Sequence, residues 1–308
     1  MEYVGIQSQI RKNNFISVVL LFAFPLLLLG MVYVFLLWTE KDLQTEANQA
    51  FIRVFPYVLS GVGCWFVIAW FFNASFIRLA TGSKPLERMG NKRVYNLLEN
   101  LCIANGLATP KLFVIQDSSL NAFASGLREN NYSITLSSGI IEKLDDAELE
   151  GVLAHELSHI RNRDVRLLII SIIFVGIFAF VAEIAFRSLR FAGGGRKGGK
   201  GAGLIILVAI VVSAVCYLVS MLLRFGISRS REFMADAGSA EMTKNPQALA
   251  SALRKISADP AIEAVNSRDV AQLFIDNPKP SAHGFSWDNL FATHPPIEKR
   301  IELLEQFV

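Results

Sequence analysis

The sequence predicts an α+β chain: a polytopic α-helical membrane protein with four transmembrane helices and a mainly helical extramembrane domain carrying a small β-sheet. Three observations lead there. The 308 residues are 52% hydrophobic and only 19% charged, with a mean hydropathy of +0.40, whereas a soluble globular chain carries about a quarter charged residues. Four apolar runs are each long enough to cross a hydrocarbon core of about 30 Å at about 1.5 Å per residue. The sequence between and after them shows helical stripes and short β-rich runs. The same numbers exclude disorder, because there is ample apolar surface to bury. A net charge of +3 is too small to point to nucleic acid. Three cysteines, two of them inside apolar runs (Cys64, Cys216), make no disulfide framework, and Cys102 reads as a small core residue.

Phe15–Trp38 and Val54–Ile77 are 24 residues each without a charge, Leu204–Leu223 is 20, and Leu167–Phe186 is 20 with the single charge Glu183. The first is too long for a signal-peptide core and has no small-residue cleavage site after it, so it is expected to be a retained anchor with Pro25 a tolerated kink. The expected organisation is two amino-terminal transmembrane helices in 1–77, a first part of the extramembrane domain in 78–166, a transmembrane hairpin with a Gly-rich basic loop in 167–223, and a second part in 224–308.

Lysine and arginine near the runs set the orientation. Arg11 and Lys12 precede the first run, the 39–53 loop nets −1, and Arg78, Lys84, Arg88, Lys92 and Arg93 follow the second against Glu87. A cytoplasmic amino terminus and a cytoplasmic 78–166 block follow. The 187–203 loop dissents, with Arg187, Arg190, Arg196, Lys197, Lys200, seven glycines and no acid. Either the early spans dominate and the hairpin crosses fully, which is the reading adopted, or the hairpin is re-entrant. Glu183 and Arg187, four apart, read as an ion pair snorkelling at the interface.

Within the extramembrane blocks, Pro85–Asn105 carries a helical stripe (Leu86, Met89, Val94, Leu97, Leu98, Leu101, Cys102) ending at Gly106. Lys111–Gln116 and Tyr132–Leu136 read as strands, with Ser119–Ser125 a third. Asp145 and Glu148 make a capping pair for a helix running through about Arg163. Asn245-Pro246 opens a helix to about Ile256, and Pro295 opens another to about Phe307.

On the Asp145 helix lies His155-Glu156-Leu157-Ser158-His159, an H-E-x-x-H motif holding half of the four histidines. Positions i and i+4 share a helical face, so both imidazoles can converge on one metal ion. Glu156 stands beside that point without being needed as a ligand, where a general base must stand. A catalytic zinc takes three protein ligands and keeps an open position. The best third candidate is Glu232 in Arg231-Glu232-Phe233-Met234-Ala235-Asp236, and Asp236, one turn on, is placed to accept the free ring N–H of a ligand histidine. Alone, that stretch reads more readily as a juxtamembrane helix of mixed charge.

With Thr293-His294-Pro295-Pro296-Ile297-Glu298-Lys299-Arg300-Ile301, these motifs make a chain that resembles the HtpX-type membrane zinc metallopeptidases, relatives of the CAAX prenyl endopeptidases. Two amino-terminal spans, a strand-rich segment, H-E-x-x-H, an apolar hairpin, R-E-F-x-A-D and T-H-P-P-x-x-x-R-I occur in that order over nearly the whole length. The resemblance implies a zincin-type cytoplasmic protease domain and one Zn2+ ion held by His155, His159 and Glu232. It further implies Glu156 as catalytic acid/base, Asp236 behind the ligands, and His294 and Arg300 facing the active site to stabilise an oxyanion. A plasma (inner) membrane location and a role in membrane protein quality control and the stress response are implied as well. The Gly-rich loop belongs to no motif of that family.

Substrate is expected as an added strand on an exposed edge, with Asn121-Ala122-Phe123-Ala124 the candidate; those residues read equally as a core strand. His159 lies eight residues before Leu167 and Glu232 nine after Leu223. An even number of crossings returns the chain to the same side. The site is therefore expected beside the cytoplasmic membrane surface, with polypeptide substrates that are themselves membrane proteins and the lipid bilayer as the other partner. A proteolytically inactive scaffold or chaperone of the same fold is the alternative. A transporter is a third reading, against which no repeat symmetry is visible.

Overall fold

The computed structural model describes residues 6–39, 45–170, 231–258 and 295–306, with Ile173, Arg187, Ile210, Ala214 and Ile275. By its contacts the chain divides into two compact units: Met1–Asn14, Phe72–Ile169 and Phe225–Val308 in one, Phe15–Phe71 and Ile170–Arg224 in the other.

The second unit contains most of α1 (Ile6–Thr39) and α2 (Thr45–Thr81), with Pro25 and Pro56 inside them. Both helices are long and apolar enough to cross a membrane, over Ile10–Leu37 and Thr45–Thr81. Phe15, Phe22, Leu26 and Phe71 stand about two-thirds exposed, which suits lipid and would be a liability in water. Within this unit the Tyr33 hydroxyl donates to Asn48 Oδ1 at 2.8 Å, and its ring meets Phe51 edge-on with centroids 5.2 Å apart. The third and fourth apolar runs lie outside the described residues apart from Leu167–Ile170, Ile173, Ile210 and Ala214, which are helical, and the glycine-rich loop after Arg187 lies outside them too.

The first unit is built on a four-stranded mixed sheet: β1 (Lys84–Pro85), β2 (Lys111–Ile115), β3 (Ala122–Ser125) and β4 (Ser133–Ser137), in the order β1-β2-β4-β3. β2 and β4 are parallel, with Lys111 opposite Ser133, and the outer pairs are antiparallel. The helical stripe beginning at Pro85 is shorter than its sequence suggests. Helix α3 spans Lys92–Asn105, because Lys84 and Pro85 pair with Val114 and Phe113 and the Leu86 N–H donates to Leu112 O at 3.0 Å. Met89, counted in the stripe, is 86% exposed. At the other end Gly106 takes φ 64° and closes the helix as expected, and Cys102 is buried.

After α4 (Ser138–Lys143) comes α5 (Asp146–Arg161), whose start is the expected capping box. Glu148 N–H donates to Asp145 Oδ1 at 2.9 Å and Asp145 N–H to Glu148 Oε2 at 3.0 Å. The chain does not run on helically through Arg163. Asn162 ends the helix, Arg163 takes φ 60°, and a new helical stretch, α6 (164–170), starts at Asp164. Helices α7 (231–243), α8 (Pro246–Ala258) and α9 (Ile297–Glu305) complete the unit. Helix α5 packs on α3, α8 and β3. Its Leu149, Val152, Leu153 and Leu157 are fully buried with Leu249, Leu253 and Ile134.

Glu148 also joins helices: its carboxylate accepts from Ser251 Oγ at 2.7 Å and Lys255 Nζ at 2.6 Å. Burial pushes this carboxyl up, but those donors and the Asp145 N–H outweigh it and hold it below the ordinary glutamate value. A depressed folded-state value gives stability that is complete above the ordinary value of 4.5 and lost as pH falls through the folded one. Glu148→Gln should thus lose about 1–2 kcal/mol at neutral pH. Its deficit relative to wild type, measured by denaturant unfolding, should shrink as the pH is lowered past that window. A deficit independent of pH would contradict the charged pairing.

Candidate active site and metal centre

The middle of α5 carries the paired imidazoles. His155 is completely buried, and the two Nε2 atoms lie 3.2 Å apart. Opposite them stands α7, which turns Glu232, Ala235, Asp236 and Ser239 inward; all are buried, as spacings of three, four and seven on one helical face require. Two small residues allow the approach. A Cβ on Gly238 would collide with the Ser158 hydroxyl of α5, and Ser239 Oγ donates to Gly151 O at 2.7 Å. Glu232 oxygens thereby come within 3.7 Å of His155 Nε2 and 3.6 Å of His159 Nε2.

These three residues form the cluster that could hold a metal ion among the described residues. The spacing fits one. A tetrahedral zinc with ligand bonds of about 2.0–2.1 Å separates its donors by about 3.3 Å, against 3.2, 3.6 and 3.7 Å here. The ring atoms fit as well, because both Nδ1 atoms face carboxylates and Nε2 is left toward the cluster. His155 Nδ1 lies 2.9 Å from Asp236 Oδ1 and His159 Nδ1 3.1 Å from Asp164 Oδ2. Burial pulls the His155 pKa down, but Asp236 and Glu232 outweigh it and push it up to about 9. So much negative charge around a fully buried ring suits a cation.

Glu156 is 2% exposed. Burial drives its carboxyl above the ordinary value, against the lowering influence of both imidazoles and of a hydrogen bond from the Ala124 backbone N–H. That N–H belongs to β3, the edge strand, so Asn121-Ala122-Phe123-Ala124 borders the site. All four residues are buried, and one edge acceptor already serves the chain itself: Ala122 O receives the Ile275 N–H at 2.9 Å.

Asp236 stands behind His155 and is held by Arg300. Nε donates to Oδ2 at 2.8 Å and Nη2 to Oδ1 at 2.7 Å, while Nη1 donates to Ile275 O at 3.1 Å. Arg300 is 1% exposed. Burial pushes the Asp236 carboxyl up, but Arg300 and His155 outweigh it and hold it below the usual range. The guanidinium fork thus grips a carboxylate behind the imidazole, and its Nη1 also lies 3.4 Å from Glu232 Oε2, so Arg300 borders the ligand cluster as well. His294 lies outside the described residues.

Sequence reasoning missed Asp164 and Asn13. Asp164 came into play only because the helix breaks at Asn162-Arg163, and an Asn followed two residues later by Asp was the available signal. Nothing local marks Asn13, 149 residues from Asn162, whose backbone O accepts from its amide at 2.9 Å.

An H-E-x-x-H helix completed by a carboxylate from a second helix, in a chain with two membrane-length helices, defines a membrane metalloprotease. Comparison with known proteins agrees. The sequence profile of Peptidase family M48 matches residues 89–308, and the chain belongs to that family. A protein named Protease HtpX homolog from Bacteroides fragilis (strain YCH46) is 56% identical over 324 aligned residues, covering 100% of both chains. Another of that name from Lactobacillus helveticus (strain DPC 4571) is 33% identical, covering 99% of this chain and 100% of its own. Among solved structures, S. mikatae Ste24p matches with a TM-score of 0.44 and 19% identity, over 89% of this chain and 61% of Ste24p.

Proposed function

We propose that this chain is a membrane-embedded zinc endopeptidase that cuts membrane proteins at their cytoplasmic face. The observation that carries the reading is the tripod of His155, His159 and Glu232, with donors 3.2–3.7 Å apart and Glu156 adjoining. The proposed organisation keeps the boundaries 1–77, 78–166, 167–223 and 224–308, with the third and fourth runs crossing as a hairpin.

His155, His159 and Glu232 would hold one Zn2+, and when bound the ion supplies Lewis-acid polarisation of the scissile carbonyl and acidifies the attacking water. Glu156 takes the water proton and returns it to the leaving amine as the C–N bond breaks. Peptide adding along β3 would take the place of the Ile275 N–H that Ala122 O now accepts, and the Ala124 N–H keeps the Glu156 carboxylate beside that edge. Asp236 holds His155 by its Nδ1–H, and Arg300 is a positioning residue that grips Asp236 and also reaches Glu232 Oε2 at 3.4 Å. His294 is the proposed oxyanion donor.

Two features support a site at the bilayer surface on the side of the amino terminus. His159 lies eight residues before Leu167. Asn13, two residues before Phe15, hydrogen-bonds Asp164 at 2.6 Å. Lys and Arg counts around the first two runs make that side cytoplasmic.

The test is metal analysis of the purified full chain together with cleavage-site mapping on membrane-tethered and soluble substrates. One zinc per chain, lost in Glu232→Ala, and cuts close to the cytoplasmic ends of spans are expected. Lack of stoichiometric metal would sink the peptidase reading and favour a scaffold. Cuts confined to freely diffusing proteins would sink the membrane-substrate reading.

A further inference from the structure

Both imidazoles are held from behind, and the two holds come from different parts of the chain. Behind His155 the sequence is Asp236 then Arg300. Behind His159 it is Asp164 and then Asn13. One oxygen of Asp164, Oδ2, lies 3.1 Å from His159 Nδ1, and the other, Oδ1, accepts from Asn13 Nδ2 at 2.6 Å. The same amide nitrogen donates to Asn162 O at 2.9 Å. Asn13 and Asp164 are 1% and 3% exposed, and Arg231 Nη1 reaches the backbone O of Asp164 at 3.3 Å.

We propose that Asn13, at the start of α1, is a positioning residue of the metal centre, acting on His159 through Asp164. The inference rests on the reading of His155, His159 and Glu232 as ligands. The physical argument begins at the helix break. Arg163 leaves the α-helical region at φ 60°, so α5 does not carry its own geometry across to Asp164. Some other group must aim that carboxylate, and the Asn13 amide does so by bridging the broken helix end (Asn162 O) and the Asp164 side chain. With Oδ1 engaged, Oδ2 is presented to Nδ1, which fixes the tautomer that leaves the Nε2 lone pair for a metal and raises its donor strength. Asn suits this place where Asp would not, since a second carboxylate against Asp164 would repel it. Asn13 lies outside the matched 89–308 region, so a segment preceding the peptidase region completes its ligand shell.

The test uses the full-length chain in detergent: wild type, Asn13→Ala, Asp164→Ala, the double variant, and Asn14→Ala. Asn14 is the neighbouring control, accepting from Arg163 at 3.1 Å. Zinc affinity is read by chelator competition, and the electronic spectrum of the cobalt-substituted protein reports ligand geometry. Asp164→Ala should weaken zinc about 10–100-fold and Asn13→Ala about 3–10-fold. The double variant should be no weaker than Asp164→Ala alone, because one acts through the other. Asn13→Ala should shift the cobalt spectrum and Asn14→Ala should not. If Asn13→Ala lowers only the unfolding temperature of the metal-stripped protein, leaving zinc affinity and cobalt spectrum as in wild type, Asn13 is merely structural and the proposal is overturned. Additive losses in the double variant overturn it as well. Unchanged zinc binding in His155→Ala would instead overturn the ligand assignment beneath it.

Discussion

Glu156→Gln should lower peptide hydrolysis by about 10²–10⁴-fold while the purified protein keeps its full metal content. Glutamine matches glutamate in shape, and its side-chain oxygen can still accept the Ala124 N–H that the carboxylate accepts now. What it cannot do is take up a proton from the attacking water. Glu156 is one residue from His155, and it is not among the three residues whose donors cluster, so metal binding should survive. Self-cleavage and casein degradation by wild type and variant, measured beside zinc content, separate the possibilities. Equal hydrolysis by both proteins would remove Glu156 from the chemistry. Loss of the metal along with activity would make it a ligand.

Arg300→Met should have the largest effect on stability. The guanidinium is 1% exposed and makes two hydrogen bonds to a buried carboxylate, with a third to Ile275 O. Removing one partner of such a pair leaves the other charge uncompensated and costs about 3–5 kcal/mol. Zinc affinity should fall as well, because Asp236 loses its orientation toward His155 Nδ1. A second substitution distinguishes the two consequences. In Arg300→Met with Asp236→Leu the Asp236 charge is no longer stranded, although Glu232 still loses the guanidinium 3.4 Å from its Oε2, so part of the stability should return. Zinc affinity should not, since His155 then has no carboxylate behind it. Denaturant unfolding and chelator competition on the same preparations test this. Recovery of both properties together would mean that Asp236 has no part in holding the ring.

The sheet shows how far local pattern carries. Lys111–Ile115 and Ser133–Ser137 are β-rich runs, and a strand beginning near Ser119 was visible as well, although it forms only from Ala122. The two-residue β1 escaped notice because Lys84-Pro85 has no strand pattern. It exists through pairing with Val114 and Phe113. The Asp145 cap and the Gly106 stop were legible, since capping is decided within four residues of chain.

At the centre, the paired histidines and the base beside them were legible because i, i+4 spacing is a property of any helix, whereas Glu232 stood out only through the family resemblance. The sequence by itself carried membrane character and the H-E-x-x-H motif, through composition and short-range spacing, and it pointed to the family through the resemblance of three ordered motifs. Only the tertiary structure decided what stands behind each ring, Arg300 on Asp236 and Asn13 on Asp164, and what meets the β3 edge, Ile275 against Ala122. Those partners are separated by 64, 151 and more than 150 residues. Hydrogen bonds between such distant groups depend on how helices pack and where α5 breaks, which no local periodicity encodes.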